Sequence, residues 1–545
     1  MTTSRVGVAT DRPPARRAPD AAGAGRLVRL QLRQERWALP AWVAVLVLTA
    51  VSTVSAIRGL YPGAAERAAL AAGIAADPSL VVLTGRVATT SVGGLTSWRL
   101  GVLLSVAAGV MGLVTVVRRT RGDEDAGRGD LLVAAGAGRA AATVAALAVA
   151  GAAALAVGLL TAAGLVSQGL PVTGAVGLAG SVAGSALVFA GVAAVTGQLS
   201  GSGRAAVGSA VTVLAACFAL RALADTVAGL GWLNQVSPLG WPAVVQPFGA
   251  DRWWDLVRYP ATAAVLALVA VAVSRRRDVG VGLLPPRPGP AGTRVLAGRW
   301  SLSLRLLRGP GVGTVVGMAA LGALAGSVGA DPAGLLQSTP AVEDLLRRIG
   351  GPGGLVPAYL ATMGAMVGLF VAAQAVAAVL ALRREETAGR WSLLLPQPLS
   401  RVRMLVLHLA AALLWSALAL AAGGASMGAV LAGRTGRGGL LGDALAATVV
   451  QFPAVLVMAA VAALLVGAMP VASGAAWLAW GAAVVLGQLG GLLQLPGWVT
   501  GLSPFAHVPR LPAVAMSWTG PIGLLVLAVA VVVLAAVGLR RRDAG

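Results

Sequence analysis

Lysine is missing altogether: all 42 basic residues of the chain are arginine. A phosphate-binding loop of the G-x-x-x-x-G-K-[ST] type needs its lysine on the terminal phosphates, so no such ATPase site is present, and any ATP-driven step must be powered by another polypeptide. Cysteine occurs once, as Cys217, which excludes a disulfide within the chain and leaves redox compartment unread. Histidine occurs twice. His408 and His507 have no neighbouring carboxylate in sequence, so both read as structural, and no metal cluster or nucleophile–base set is written in the chain. Charged residues are scarce, at 11% of 545.

What is present is hydrocarbon. Apolar residues make up 57% of the chain and the mean hydropathy is +0.83, which excludes a soluble globular protein. Several runs exceed the roughly 20 apolar residues needed to cross a bilayer core of about 30 Å. The expected fold class is an all-α polytopic membrane protein with about twelve transmembrane helices, near 40–58, 95–117, 140–166, 172–197, 205–226, 260–274, 312–329, 356–382, 402–424, 443–468, 471–494 and 519–539. Short Gly/Pro breaks separate the third span from the fourth and the tenth from the eleventh, and these read either as turns or as kinks.

The net charge of +22 does not imply nucleic acid, because the arginines flank apolar segments instead of clustering on one soluble domain. Most of them fall on the side of the N-terminus, and the opposite side is nearly neutral. By the positive-inside rule both termini are cytosolic. Residues 1–25 lack an adjoining apolar core and cleavage site and read as a disordered cytosolic tail. Residues 26–38 place Arg26, Arg29, Arg33 and Arg36 on one helical stripe, as an amphipathic interfacial helix does on anionic lipid. Residues 39–278 form a first six-helix half and 311–545 a second. The Pro/Arg-rich stretch 279–310 is a cytosolic linker with a second interfacial segment, including Arg299, Arg305 and Arg308.

The halves repeat each other. Arg121-Gly-Asp-Glu124-Asp-Ala-Gly127-Arg128-Gly-Asp-Leu131-Leu132, ending at Arg139, superposes without a gap on Arg383-Arg-Glu-Glu386-Thr-Ala-Gly389-Arg390-Trp-Ser-Leu393-Leu394, ending at Arg401. Trp232, Ser237 and Pro238 recur as Trp498, Ser503 and Pro504, and Arg275-Arg-Arg-Asp278 recurs as Arg540-Arg-Arg-Asp543. Three landmarks in one order mark an internal duplication. Six helices return the chain to the side it started from, so the halves read as parallel repeats. Membrane topology requires only positive charge in a cytosolic loop. It does not explain acids held between arginines, a Gly-Arg pair in register, or a Leu-Leu pair beyond it. That arrangement suits a short cytosolic helix with a polar face for a partner.

At these residues the chain resembles the permeases of type-2 ATP-binding-cassette (ABC) exporters. An acid, three residues, glycine, a basic or polar pair, Leu-Leu and an ending such as Pro398-Leu399-Ser400-Arg401 look like that family's cytosolic loop. The fused twelve-helix form looks like the actinobacterial exporters of polyketide and ionophore antibiotics. The resemblance implies a coupling helix in each loop that docks on an ATPase subunit, with Arg121, Glu124, Gly127 and Arg128 matching it in the first half. Arg383, Glu386, Gly389, Arg390 and Arg401 match it in the second. The first copy departs from the pattern, since Ala135-Gly136-Ala137-Gly138-Arg139 replaces the Pro-x-Ser-Arg ending. The implied partners are two copies of a separate ABC ATPase, which hold ATP and magnesium, together with membrane lipid and a hydrophobic small-molecule substrate. The chain itself holds no cofactor and is no enzyme. The implied location is the bacterial plasma membrane.

The loops around Trp232-Ser237-Pro238 and Trp498-Ser503-Pro504 face outward in this topology, as aromatic belt and turn residues or, by resemblance, as a short cap on the exit path. Gln374, Gln451 and Gln488 are the few amides within apolar spans; interhelical hydrogen bonding is their simplest role, and Gln374 and Gln488 are also candidates for the substrate path. A transporter driven by an ion gradient needs ionisable groups inside the membrane. All 20 acids are expected in loops or at span edges, with Asp225 and Asp443 the nearest to a span interior. The expected function is therefore export of a hydrophobic or amphipathic, drug-like compound. The alternatives are an ABC-type regulatory or sensory membrane protein and an ion-gradient-driven secondary exporter.

Overall fold

The computed structural model describes residues 21–76, 81, 84–277, 282–283, 299–329, 355–387, 400–489 and 496–541. The expected tail up to residue 20, most of the linker, Asp278, Gly389 and Arg390 lie outside them. Among the described residues every regular element is helical. Eleven helices among the described residues are long and apolar enough to cross a membrane, and a shorter apolar one spans Ala475–Gly487. The chain divides into two compact units, residues 1–288 and 289–545.

The first unit runs α1 (Ala24–Gln34), α2 (Ala38–Leu60), α3 (Ala64–Ala76), α4 (Val92–Arg119), α5 (Arg121–Asp125), α6 (Arg128–Ala134), α7 (Ala141–Ser167), α8 (Val172–Leu199), α9 (Gly203–Thr226), α10 (Leu233–Val236), α11 (Trp241–Val245) and α12 (Arg258–Ser274). Its core lies between α4 and α8, which are buried over most of their length. Small residues make the approach possible: a Cβ on Gly112 would stand 2.3 Å from the carbonyl oxygen of Ala186. Without a hydrophobic drive between helices in lipid, such close backbone contact supplies the packing. The break between the third and fourth spans is a turn and not a kink. Gly169 takes φ of 72°, a conformation only glycine adopts freely, and Pro171 precedes α8 as its cap. Helix α3 was not expected; the Ala-rich, Glu66-Arg67-bearing run that forms it has high helix propensity, a signal that hydropathy does not read.

The second unit runs α13 (Arg299–Gly329), α14 (Leu355–Thr387), α15 (Arg401–Thr435), α16 (Gly439–Val449), α17 (Phe452–Ala468), α18 (Ala475–Val484), α19 (Gly497–Thr500) and α20 (Thr519–Arg541). Helices α13 and α15 meet through Gly322 and Gly326, where a Cβ would lie 2.0 Å from the Gly423 carbonyl oxygen and 2.3 Å from that of Met427. That is a G-x-x-x-G contact of the kind found between membrane helices. Three boundaries differ from expectation: the seventh span is continuous with the expected interfacial segment, in one helix from Arg299. The ninth span continues to Thr435 instead of ending near 424, because Gly423 and Gly424 are packing positions inside the helix and the apolar stretch runs on past Leu431 to Arg434. The tenth is two helices broken at Val450–Gln451. Pro453 lies in the first turn of the second piece, where it has no N–H to donate backward.

Candidate functional site

The loop after α4 is a folded device. Helix α4 ends where Thr120 leaves the helical region, at φ −119° and ψ −89°, and two short helices follow. Between them Gly127 takes φ of 72° and its N–H bonds back to the Glu124 carbonyl at 2.9 Å. The glycine of the motif's first copy thus holds a left-handed conformation that a side chain would strain, as does Gly136 further along the loop.

Two charges of the loop, Arg121 and Glu124, face inward. Arg121 is buried, with 1% of its side chain exposed, and its Nη1 meets Glu124 Oε2 at 2.6 Å. Arg277, at the end of α12, donates Nη1 to the same Oε2 at 2.9 Å and Nη2 to Oε1. One carboxylate is therefore held by two guanidiniums, one local and one from 153 residues away. Arg277 also donates Nε to Gln198 of α8, and Gln198 reaches Thr143 of α7 at 3.1 Å. Asp125 accepts the Gly203 N–H at 2.7 Å, which ties the loop to the start of α9. The second half begins the same way: Arg383 Nη1 meets Glu386 Oε2, again at 2.6 Å.

Helix α1 is bolted to the same end. Its arginines Arg26, Arg29, Arg33 and Arg36 are exposed while Leu27, Gln31 and Glu35 turn inward. Glu35, 2% exposed, meets Arg119 Nη2 at 2.6 Å and accepts from its Nε at 2.8 Å. The Leu-Leu pair divides: Leu132 packs with Leu27 and Ala141, while Leu131 stays 70% exposed. Arg128, 56% exposed, leans on Asp123 at 2.5 Å. What the loop offers to a partner is thus Arg128, Asp130 and Leu131, while Glu124 belongs to its anchorage.

At the other end of the helices the Ser-Pro segments do one job twice. Ser237 Oγ donates to the Cys217 carbonyl at 2.6 Å, and Ser503 Oγ donates to the Ala483 carbonyl at 3.1 Å. Each bond spans 20 residues and each serine is fully buried. Pro238 is buried beside Ser237 and Pro504 opens a short turn of 3-10 helix. Trp232 and Trp498 are exposed.

The family model described as "Multidrug efflux system permease Rv1217c, C-terminal domain" matches residues 296–540. Over 545 residues the chain is 38% identical to the multidrug efflux system permease protein Rv1217c of Mycobacterium tuberculosis (strain ATCC 25618 / H37Rv), with 98% of each chain covered. The chain belongs to this family of multidrug efflux permeases. The resemblance to ABC export permeases seen in its loops holds, and the chain is a multi-pass membrane permease.

Elsewhere in the permease, Gln374 accepts from Ser416 Oγ at 3.0 Å across α14 and α15, an interhelical bond. Gln488 lies in a π-helical turn, Val485–Leu489, and its side chain is outside the described residues. His408 is buried with Nε2 2.9 Å from the Ala378 carbonyl, and His507 lies 2.8 Å from the Gly501 carbonyl. Arg401 opens α15 directly after its cap Ser400. The expectation that acids keep to span edges holds in its nearest case, since Asp225 is the second-last residue of α9. Arg221 and Asp225 of α9 are both buried and meet at 2.8 Å. The ends of apolar runs conceal such a pair, because an i,i+4 salt bridge neutralises itself within one helix. That spacing of opposite charges in an apolar span is the signal that would have found it.

Proposed function

We propose that this permease is the membrane subunit of an ABC exporter that moves hydrophobic or amphipathic, drug-like compounds out of the cell. Two copies of a separate ATPase, which carry ATP and magnesium, would each dock on one charged loop, residues 121–139 and 383–401. The termini and both loops would lie in the cytosol. The observation that carries the reading is the division of labour in the first loop. Its acids and buried arginines tie it to helices α4, α7, α8, α9 and α12, so a push on the loop is delivered to the whole helical unit. Its exposed Arg128, Asp130 and Leu131 offer one apolar contact flanked by both charges, a pattern suited to a transient protein interface. ATP binding would bring the ATPases together and alternate the access of the path, and hydrolysis would reset it.

The test is transport in proteoliposomes of a fluorescent hydrophobic dye, with and without the cognate ATPase. Efflux that requires both ATP and the ATPase supports the reading. Flux driven by a proton or sodium gradient through this chain alone overturns it.

A further inference from the structure

A cavity opens at the end of the first unit remote from the charged loop. Its volume is about 550 Å³, and an adjoining hollow of about 460 Å³ shares Arg86, Val87, Ala88 and Asp225 with it. Both fall in the range of about 300–1,000 Å³ typical of small-molecule sites. The apolar wall is Val87, Val102, Leu239 and Pro242.

The charges on this wall are unevenly committed. Asp225 is paired: Oδ2 takes Arg221 Nε at 2.8 Å and Oδ1 takes Asn234 Nδ2 at 2.9 Å. Arg221 also reaches back to the Val81 carbonyl at 3.0 Å, and Trp98 Nε1 holds the Gly85 carbonyl at 3.0 Å. The loop on either side of Gly85 is thus stitched down to α4 and α9, and a buried ion pair, a weak source of stability, acquires a positional use. What the stitched loop presents is Arg86. It is exposed and anchored by Nε to the Asp225 backbone carbonyl at 2.8 Å, and it pairs with no carboxylate among the described residues. Two guanidiniums and one carboxylate leave a surplus of positive charge beside an apolar wall.

We infer that this cavity binds the anionic group of an amphipathic molecule, a carboxylate or phosphate on Arg86 with its hydrocarbon along Val87, Val102, Leu239 and Pro242. A cation finds only Asp225 among the described carboxylates of the lining, and that one is already neutralised by Arg221. The inference deepens the export reading by giving the cargo a charge class, and the same chemistry could come from an anionic lipid headgroup.

The test uses the full chain in phosphatidylcholine nanodiscs with dansyl-labelled undecanoate as the fluorescent probe and empty nanodiscs as the blank. The expected result is saturable, protein-dependent binding that dodecyl phosphate displaces and dodecyltrimethylammonium does not. Arg86→Gln weakens it at least about tenfold, the loss of one charge-assisted hydrogen bond, and Arg86→Lys recovers part of it. Arg437→Gln, an exposed arginine of the second unit, leaves it unchanged. Displacement by phosphatidylglycerol built into the nanodisc assigns the site to a lipid headgroup, and its absence assigns it to a free amphiphile. Unchanged affinity in Arg86→Gln, or equal displacement by dodecanol and the ammonium, overturns the inference. Binding requires no ATPase, so its failure is separable from failure of ATP-driven efflux.

Discussion

Glu124 is the residue on which the loop turns. Its carboxylate accepts from Arg121 and from Arg277, so replacing it leaves two guanidiniums in a largely buried place without their counter-charge. Removing one partner of such a pair costs more than the pair contributes. Glu124→Gln and Arg277→Gln are each expected to lower dye efflux per ATP hydrolysed by about tenfold, equivalent to roughly 1.4 kcal/mol of lost coupling. The double variant is expected to be no worse than the poorer single one, with a coupling energy of about 1–3 kcal/mol. Thermal unfolding in nanodiscs and the transport-to-hydrolysis ratio together read this out. Additive losses, or a Glu124→Gln protein that transports like the parent, would show that the two side chains do not act together. This partnership was only half legible. The duplication of Arg121–Glu124 in Arg383–Glu386 marked the local pair, because three residues on a helix bring side chains together. Arg277 was visible as part of a second repeated motif, and nothing in a linear sequence connects two motifs 153 residues apart. The packing of α12 against α8 and α7 does that.

Between residues and the whole chain, the elements show where hydropathy succeeds and where it stops. It located the spans, because lipid demands long apolar helices whose backbone groups are satisfied internally. It misplaced the end of α15 and missed the division of α16 from α17, since a Gly-Gly pair inside a helix reads like a break and a single Gln-Phe-Pro step inside an apolar run does not. The ties of α1 were hidden for a different reason. Its exposed arginine stripe dominates the pattern, while the inward stripe carries Gln31 and Glu35, polar residues that pair with α4 and so look like surface. The Ser-Pro elements give the cleanest comparison of the two halves. Ser237→Ala and Ser503→Ala each remove one buried hydroxyl-to-carbonyl bond of the same span. Each is expected to cost about 0.6–1 kcal/mol, and the two losses should add, because the sites share no partner. Thermal midpoints of the two single variants and the double variant in nanodiscs measure it. A loss confined to one half would mean that the duplicated segments have lost their shared role.

At the scale of the whole molecule, the export reading depends on which side of the membrane receives the charged loops. Arginine is excluded from translocated loops by the energetics of insertion and by the membrane potential, and most of the described arginines of the first unit collect at one end of its helices. In the first unit that end holds α1, the loop from Arg121 to Arg139 and the arginines after α12. The opposite end holds α3, the short helices α10 and α11, and the cavity around Arg86. Cys217 is the single native thiol, so a Cys217→Ser background permits labelling from one side at a time. Asp130→Cys places a thiol on the exposed face of α6, and Trp498→Cys places one on an exposed residue of α19. In intact cells a membrane-impermeant maleimide is expected to label Trp498→Cys at once and Asp130→Cys only after permeabilisation. The reverse pattern would put the loops outside, beyond the reach of any ATP-hydrolysing partner, and the coupling role proposed for Glu124, Arg128 and their counterparts Glu386 and Arg390 would fall with it.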